Sequence, residues 1–196
     1  MSLAREMYAR FTANPAQDTL VHLPYFRQVA KGNILEIGVF DGASTSAFLL
    51  GLEENDLSGR VYSVDINPRC AGIFGRENPS RWAFINENSR NRDSVLFQIA
   101  PSPVFDVLFI DGDHSFEGCY ADLDNYASLV RPGGLILVHD VRPETDQFPG
   151  VRLAFEQFAK ETGWDSEVRE GSWGLGVLHV PDTLAPLNQG ERFTCF

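Results

Sequence analysis

Cysteine is scarce in this 196-residue sequence: Cys70, Cys119 and Cys195 stand far apart and are odd in number. None belongs to a CxxC pair or a Cys/His cluster, which excludes the usual zinc modules and a disulfide framework. Reduced thiols, as in a cytoplasmic protein, are the expectation. Positive charge is scarce too, with 16 Lys plus Arg against 27 Asp plus Glu and a formal net charge of −11. A surface of that sign repels phosphate backbones, and no Lys/Arg run offers a local exception, so nucleic acid is not an expected partner. No apolar stretch approaches the ~20 residues that cross a membrane, so no membrane partner is expected either. The opening residues 1–6, Met-Ser-Leu-Ala-Arg-Glu, lack the basic-then-apolar pattern of an export signal. Repeats, low-complexity tracts and interdomain linkers are absent as well, so a single domain over residues 1–196 is expected.

What is present is a regular alternation. After an N-terminal helical segment (residues 1–31, with Leu20–Ala30 broken near Pro24), short apolar runs alternate with amphipathic ones up to residue 180, and residues 181–196 form a tail. Strands are expected at Asn33–Ile37, Arg60–Asp65, Trp82–Asn86, Val104–Ile110, Leu135–His139, Asp165–Arg169 and Gly174–Val180. Phe116, Cys119, Tyr120, Leu123, Tyr126, Ala127 and Val130 fall at three-and-four spacing, a helix that Ser115 can cap and Arg131-Pro132-Gly133-Gly134 stops. Val151, Ala154, Phe155, Phe158 and Ala159 make a second such face. The pattern predicts an α/β fold, a seven-stranded mostly parallel sheet with helices on both faces. Only Glu170-Gly171-Ser172-Trp173 joins the last two strands, too short for a crossover helix, so they must form an antiparallel C-terminal hairpin.

The segment from Ile34 to Thr45 carries the first chemical signal. A buried strand enters a loop with Gly38 and Gly42, and a helix follows, an arrangement that lets backbone approach a ligand and offers helix-start N–H groups. The same residues also fit a plain strand-to-helix turn. Their spacing is ExGxxxG, without the third glycine of the nicotinamide fingerprint. Asp65 ends the next strand about 20 residues on, where a carboxylate can accept both hydroxyls of a ribose. Further along, Asp111 follows one strongly apolar strand and Asp140 the next. Neighbouring parallel strands lie about 4.8 Å apart, so these carboxylates are expected to share a divalent ion. His114, three residues beyond Asp111 and just before a helix, can take a proton near neutral pH.

From Glu36-Ile37-Gly38 through Gly42 the chain resembles the first cofactor motif of class I S-adenosylmethionine-dependent methyltransferases. The stretch from Ile110-Asp111-Gly112-Asp113-His114 to Arg131-Pro132-Gly133-Gly134 and His139-Asp140 resembles one branch of them. That branch (methyltransferase family 24 type) includes cephalosporin-hydroxylase-like proteins and metal-dependent macrolide-sugar O-methyltransferases, and is akin to the catechol enzymes. The resemblance covers about residues 32–180 and implies a Rossmann-like core. It implies that Glu36, Gly38, Gly42, Ser44, Asp65, Asn88, Ser89 and Asp111 contact S-adenosylmethionine, with Asn88 and Ser89 facing the adenine. It implies Mg²⁺ or another divalent cation on Asp111, His139 and Asp140, and His114 as catalytic base. The chain departs from the branch at His139, where an acidic residue often stands, and at Val141, where catechol-type enzymes carry Asn. An imidazole there weakens Mg²⁺ or favours a softer ion.

The expected activity is O-methylation of a small-molecule hydroxyl, as on a sugar, a catechol or a natural product, and a homo-oligomer is compatible with it. Three alternatives stand beside it: a metal-independent methyltransferase with His114 alone as base, a non-catalytic cofactor-binding assembly module, and a nicotinamide oxidoreductase. The glycine spacing and the terminal hairpin disfavour the last of these.

Overall fold

A computed structural model describes residues 2–55, 58–74, 80–99, 103–142 and 149–183. The helices are α1 (Leu3–Thr12), α2 (Leu23–Val29), α3 (Ala43–Glu54), α4 (Ala71–Phe74), α5 (Arg92–Ile99), α6 (Phe116–Tyr126) and α7 (Pro149–Thr162). The strands are β1 (Ile34–Ile37), β2 (Val61–Asp65), β3 (Trp82–Asn86), β4 (Phe105–Ile110), β5 (Val130–His139), β6 (Asp165–Arg169) and β7 (Leu175–His179). They form one sheet in the order β3-β2-β1-β4-β5-β7-β6, the first five parallel and β7 antiparallel to both neighbours. No helix among the described residues is long and apolar enough to cross a membrane.

Both faces of the sheet are covered, which is why its central strands read as unbroken apolar runs. On one face α1, α2 and α3 pack Ala4, Leu23, Phe26, Phe48 and Leu49 against Ile34, Val107 and Phe109. On the other, α6 and α7 pack Leu123, Tyr126 and Phe155 against Leu35, Leu108 and Ile136. The β4–β5 register slips between Phe105 and Val107, so Phe105 joins the face of Leu108 instead of that of Val107. Tyr8, Phe11, Tyr25 and Phe26 all serve as packing, and Phe148 and Phe196 lie outside the described residues. Cys119 is buried as a free thiol in the α6 core, while Cys195 lies outside the described residues.

Several strand ends differ from expectation by a single residue, and three differences are larger. Pro24 sits in the first turn of α2 and starts that helix instead of breaking it, because a proline at a helix start loses no hydrogen bond. The helix after Ser115 ends at Tyr126 and tightens into a 3₁₀ turn over Ala127–Leu129. The Arg131-Pro132-Gly133-Gly134 stretch belongs to β5, which starts at Val130. Its backbone is claimed by the neighbouring strand and by Val180, which accepts from the Gly133 amide at 3.0 Å.

This topology fixes where chemistry can happen. From β1 the chain steps outward to β2 and β3, then returns to the other side of β1 for β4 and β5. The carboxyl ends of β1 and β4 therefore diverge into a crevice, the ligand position of open α/β sheets. Because β7 runs against β5, the β6–β7 turn returns to that same edge, beside His139.

Candidate active site

The crevice starts at Gly38, whose amide donates to Val64 O at 2.9 Å and whose φ is +84°. A Cβ there would lie 1.9 Å from the Asp111 carbonyl oxygen, so close approach of β1 and β4, not ligand space alone, demands glycine. The loop continues through Phe40 at φ 48° to Gly42 at φ 84°, which starts α3 with no side-chain cap. Amides at the start of α3 are thus left for another acceptor. Asp65 Oδ2 accepts from the amides of Val39 (2.8 Å) and Phe40 (3.1 Å), and its Oδ1 accepts from Asn67 (2.7 Å). Asp65 therefore shapes the glycine loop while facing the cavity.

Glu36 plays a different part from the one expected of it. It is fully buried and does not reach the cavity; Ser44, Ser63 and Thr45 hydroxyls donate to its carboxyl at 2.5, 2.5 and 2.6 Å. Ser63 in turn accepts from the Trp82 indole at 2.9 Å. Burial pushes the Glu36 pKa up to about 7, the three hydroxyls offsetting part of that rise and the Asp111 charge adding to it. Glu36 ties β1, β2 and α3 together beneath the loop. Gly42 likewise acts through the backbone and does not line the cavity.

A cavity of about 730 Å³ opens above this loop. Gly38, Ser44, Asp65, Asn88, Ser89, Asp111 and His114, all expected site residues, line it. So do Gln17, Asp18 and Thr19 from the N-terminal segment, Phe40 and Ile66 beside the loop, and Gly118 and Asp122 from α6. Its charged lining is lopsided: Asp18, Asp41, Asp65, Asp111, Asp113 and Asp122 against Arg90, which is itself 3.0 Å from Asp113. Such a cleft focuses negative potential and concentrates cations.

At the β4–β5 end of the crevice the expected cluster assembles. Ligand atoms of Asp111, His139 and Asp140 lie within 4.8 Å of one another. His139 Nδ1 is 3.2 Å from Asp111 Oδ1 and 3.5 Å from Asp140 Oδ1. His114 Nε2 stands 3.1 Å from Asp140 Oδ2 and 3.6 Å from Asp111 Oδ1. Asp140 takes a left-handed φ of 63° just beyond the end of β5. Burial alone would lower the His139 pKa, but the Asp111 charge and hydrogen bond, with Asp140 and the Ser172 carbonyl, push it up to about 9. Although burial works against it, the Asp111 carboxyl is held well below the ordinary range by His139 and His114. The neighbouring Asp111 carboxylate, with Asp140, raises the His114 pKa against the effect of burial. Burial raises Asp140, opposed by His139 and reinforced by Asp111.

One element of this site was not expected from sequence. The β6–β7 turn supplies Ser172 O to His139 Nε2 at 2.8 Å and Gly171 O to His22 Nε2 at 2.9 Å. The rings of His22 and His139 meet edge to face at 5.8 Å. Burial first, then the neighbouring His139 charge, lowers His22 to about 4, so that ring is neutral. The Gln17–Thr19 turn forms part of the cavity wall. The hairpin could have been traced from the antiparallel pairing already expected. The turn carries no motif and its approach depends on how α1 and α2 pack.

Residues 35–141, more than half of the chain, match the family model Methyltransf_24, described as a methyltransferase domain. The chain belongs to this methyltransferase family. Caffeoyl-CoA O-methyltransferase 1 of Eucalyptus globulus is 34% identical over 115 residues, 53% of this chain and 42% of the relative. Caffeoyl-CoA O-methyltransferase 2 of Petunia hybrida is 32% identical over 118 residues, 53% of this chain and 43% of that one. The chain thus spans about half the length of the curated relatives it matches. Among solved structures, an O-methyltransferase from Bacillus cereus in complex with SAH superposes with a TM-score of 0.62 at 22% identity, covering 90% of both chains. An SAH-bound Podospora anserina methyltransferase gives 0.67 at 18% identity, over 93% of this chain and 89% of that one. At those identities the shared feature is the fold, the methyltransferase sheet with its antiparallel C-terminal strands.

Proposed function

We propose that this methyltransferase uses S-adenosylmethionine to methylate a hydroxyl of a small molecule. The observation that carries the cofactor reading is the charge of the cavity, with six aspartates and the one arginine, Arg90, in its lining. A dinucleotide pyrophosphate would meet repulsion there, whereas a sulfonium is attracted. Asp65 has room for a ribose hydroxyl beside the amides it already holds, since a carboxylate offers about four acceptor positions. The start of α3 supplies amides for the carboxylate of the methionine part.

For the reaction, the acceptor oxygen attacks the methyl carbon in line with the breaking C–S bond, leaving a neutral thioether. The acceptor's proton passes to the His114 imidazole. The donor set of Asp111, His139 and Asp140 fits a divalent ion. The Ser172 carbonyl can only accept, so a neutral His139 carries its proton on Nε2 and aims the Nδ1 lone pair between the two carboxylates. When bound, such an ion would act as Lewis acid on the acceptor oxygen and cancel the carboxylate charge that raises His114. Two oxygens and one imidazole suit Mg²⁺ less than Mn²⁺, Fe²⁺ or Co²⁺. An acceptor with vicinal hydroxyls would chelate it best.

One observation favours a second reading, a metal-independent enzyme. With its pKa near 9, His139 as imidazolium already places positive charge between Asp111 and Asp140. Thermal melting with S-adenosylmethionine and with NAD tests the cofactor, and only the former should raise Tm. Methyl transfer to catechol and sugar diols with and without chelator then separates the two readings. Stabilisation by NAD alone would reject both.

A further inference from the structure

Ser2 and Ser115 close the starts of α1 and α6 with hydroxyl caps, but His22, at the start of α2, caps nothing with its side chain. This residue is only 2% exposed, and its ring reaches instead to the β6–β7 turn, where Nε2 lies 2.9 Å from the Gly171 carbonyl oxygen. A carbonyl only accepts, so a neutral His22 ring carries its proton on Nε2 and donates it there. The next carbonyl of the same turn, that of Ser172, meets Nε2 of His139 at 2.8 Å. Two successive carbonyls of one turn thus hold two imidazoles, whose rings also meet edge to face at 5.8 Å.

That turn needs holding. Gly171, Ser172, Trp173 and Gly174 all have positive φ, and the side chains of Ser172 and Trp173 disfavour it. Such backbone persists only where its surroundings fix it. On one side the Arg142 amide donates to the Trp173 carbonyl at 2.8 Å. On the other side stands the N-terminal segment. There the His22 ring engages the Gly171 carbonyl, and Val21 packs so closely that a Cβ on Gly171 would come within 3.0 Å of it. We propose that His22 is a positioning residue for His139. By holding the Gly171 carbonyl it sets the Ser172 carbonyl, and so fixes the direction in which Nδ1 of His139 would meet an ion shared with Asp111 and Asp140. The inference rests on the divalent-ion reading of those three residues. It gives the N-terminal segment a part at the ion site from 149 residues away in the chain.

Calorimetric titration of the whole chain with Mn²⁺ and with Mg²⁺ tests this without turnover. His22→Phe keeps a buried ring but loses the donor, and Mn²⁺ binding should weaken by about tenfold. The preference for Mn²⁺ over Mg²⁺ should fall with it, because the misdirected imidazole is the ligand that favours the softer ion. His22→Gln, whose amide can donate to the same carbonyl, should stay within about threefold of the wild type. If His22→Phe does not fold, His22→Asn takes its place; its donor is one methylene shorter, and it should lose the preference that His22→Gln keeps. The preference is a ratio measured on one sample, so a partly folded variant does not distort it. A lowered Tm with both ion affinities and their ratio unchanged would make His22 purely structural and overturn the proposal. An equal loss in His22→Gln and His22→Phe would overturn it too, since the Gly171 hydrogen bond would then not matter. A wild type that binds neither ion would overturn the ion reading and this inference with it.

Discussion

Ser172 presents its main-chain carbonyl to Nε2 of His139 at 2.8 Å, from a turn in which residues 171–174 all have positive φ. In a neutral ring this contact assigns the proton to Nε2 and the lone pair to Nδ1, facing Asp111 and Asp140. The turn is held in place by the Trp173 carbonyl, which accepts from the Arg142 amide at 2.8 Å just beyond β5. A side chain whose neighbours on β5 are sheet core is thereby turned toward the two carboxylates.

That orientation predicts the ion. Titration of the purified chain with Mn²⁺ and Mg²⁺ should show tighter Mn²⁺ binding, and His139→Asp should cut the preference by about tenfold or more. Asp140→Asn, which tolerates the left-handed backbone, should weaken both ions. Absence of binding of either ion, with turnover unaffected by chelator, would leave His139 as the site's cation.

His114→Ala should lower the maximal rate by roughly 10²–10⁴ at saturating metal and cofactor. The deficit should narrow at high pH, where an ionised acceptor no longer needs a base. Rates with a true acceptor across pH 6 to about pH 10 are the measurement. A parallel pH profile for variant and wild type would show that His114 only positions Asp111 and Asp140.

Asp65→Ala removes a ribose acceptor and the anchor of the Val39 and Phe40 amides together. S-adenosylhomocysteine binding by calorimetry should weaken by at least about 1.5–3 kcal/mol. An unchanged Kd with an intact fold would remove Asp65 from the cofactor site.

Glu36 makes stability pH-dependent. Its folded pKa, near 7, lies above the ordinary 4.5, so the folded protein holds this proton more tightly than the unfolded chain does. Its contribution is therefore fully present below pH 4.5 and is lost as pH rises through about 7. The loss should amount to about 3 kcal/mol at most. Glu36→Gln, which cannot ionise, should flatten that slope in urea unfolding between pH 5 and about pH 8. An equal slope in both proteins would place the titration elsewhere.

The order of strands and helices was legible because burial on both faces writes itself as apolar runs, and amphipathic helices as three-and-four spacing. Gly38, Asp65, Asp111, His114 and Asp140 were legible because each follows a strand, and a parallel sheet gathers strand ends at one edge. Glu36 was misjudged for a reason that lies within β1: residues alternate across the sheet, and its side chain turns to Ser44, Thr45 and Ser63 instead of the crevice. Sequence by itself determined the sheet, its glycine loop and the cluster of carboxylates at its carboxyl edge. Only the tertiary structure decided that the β6–β7 turn orients His139 and that, of the N-terminal segment, it is Gln17–Thr19 that wall the cavity. Those contacts join segments far apart in the chain, set by the packing of whole helices and strands, and no local spacing of residues encodes them.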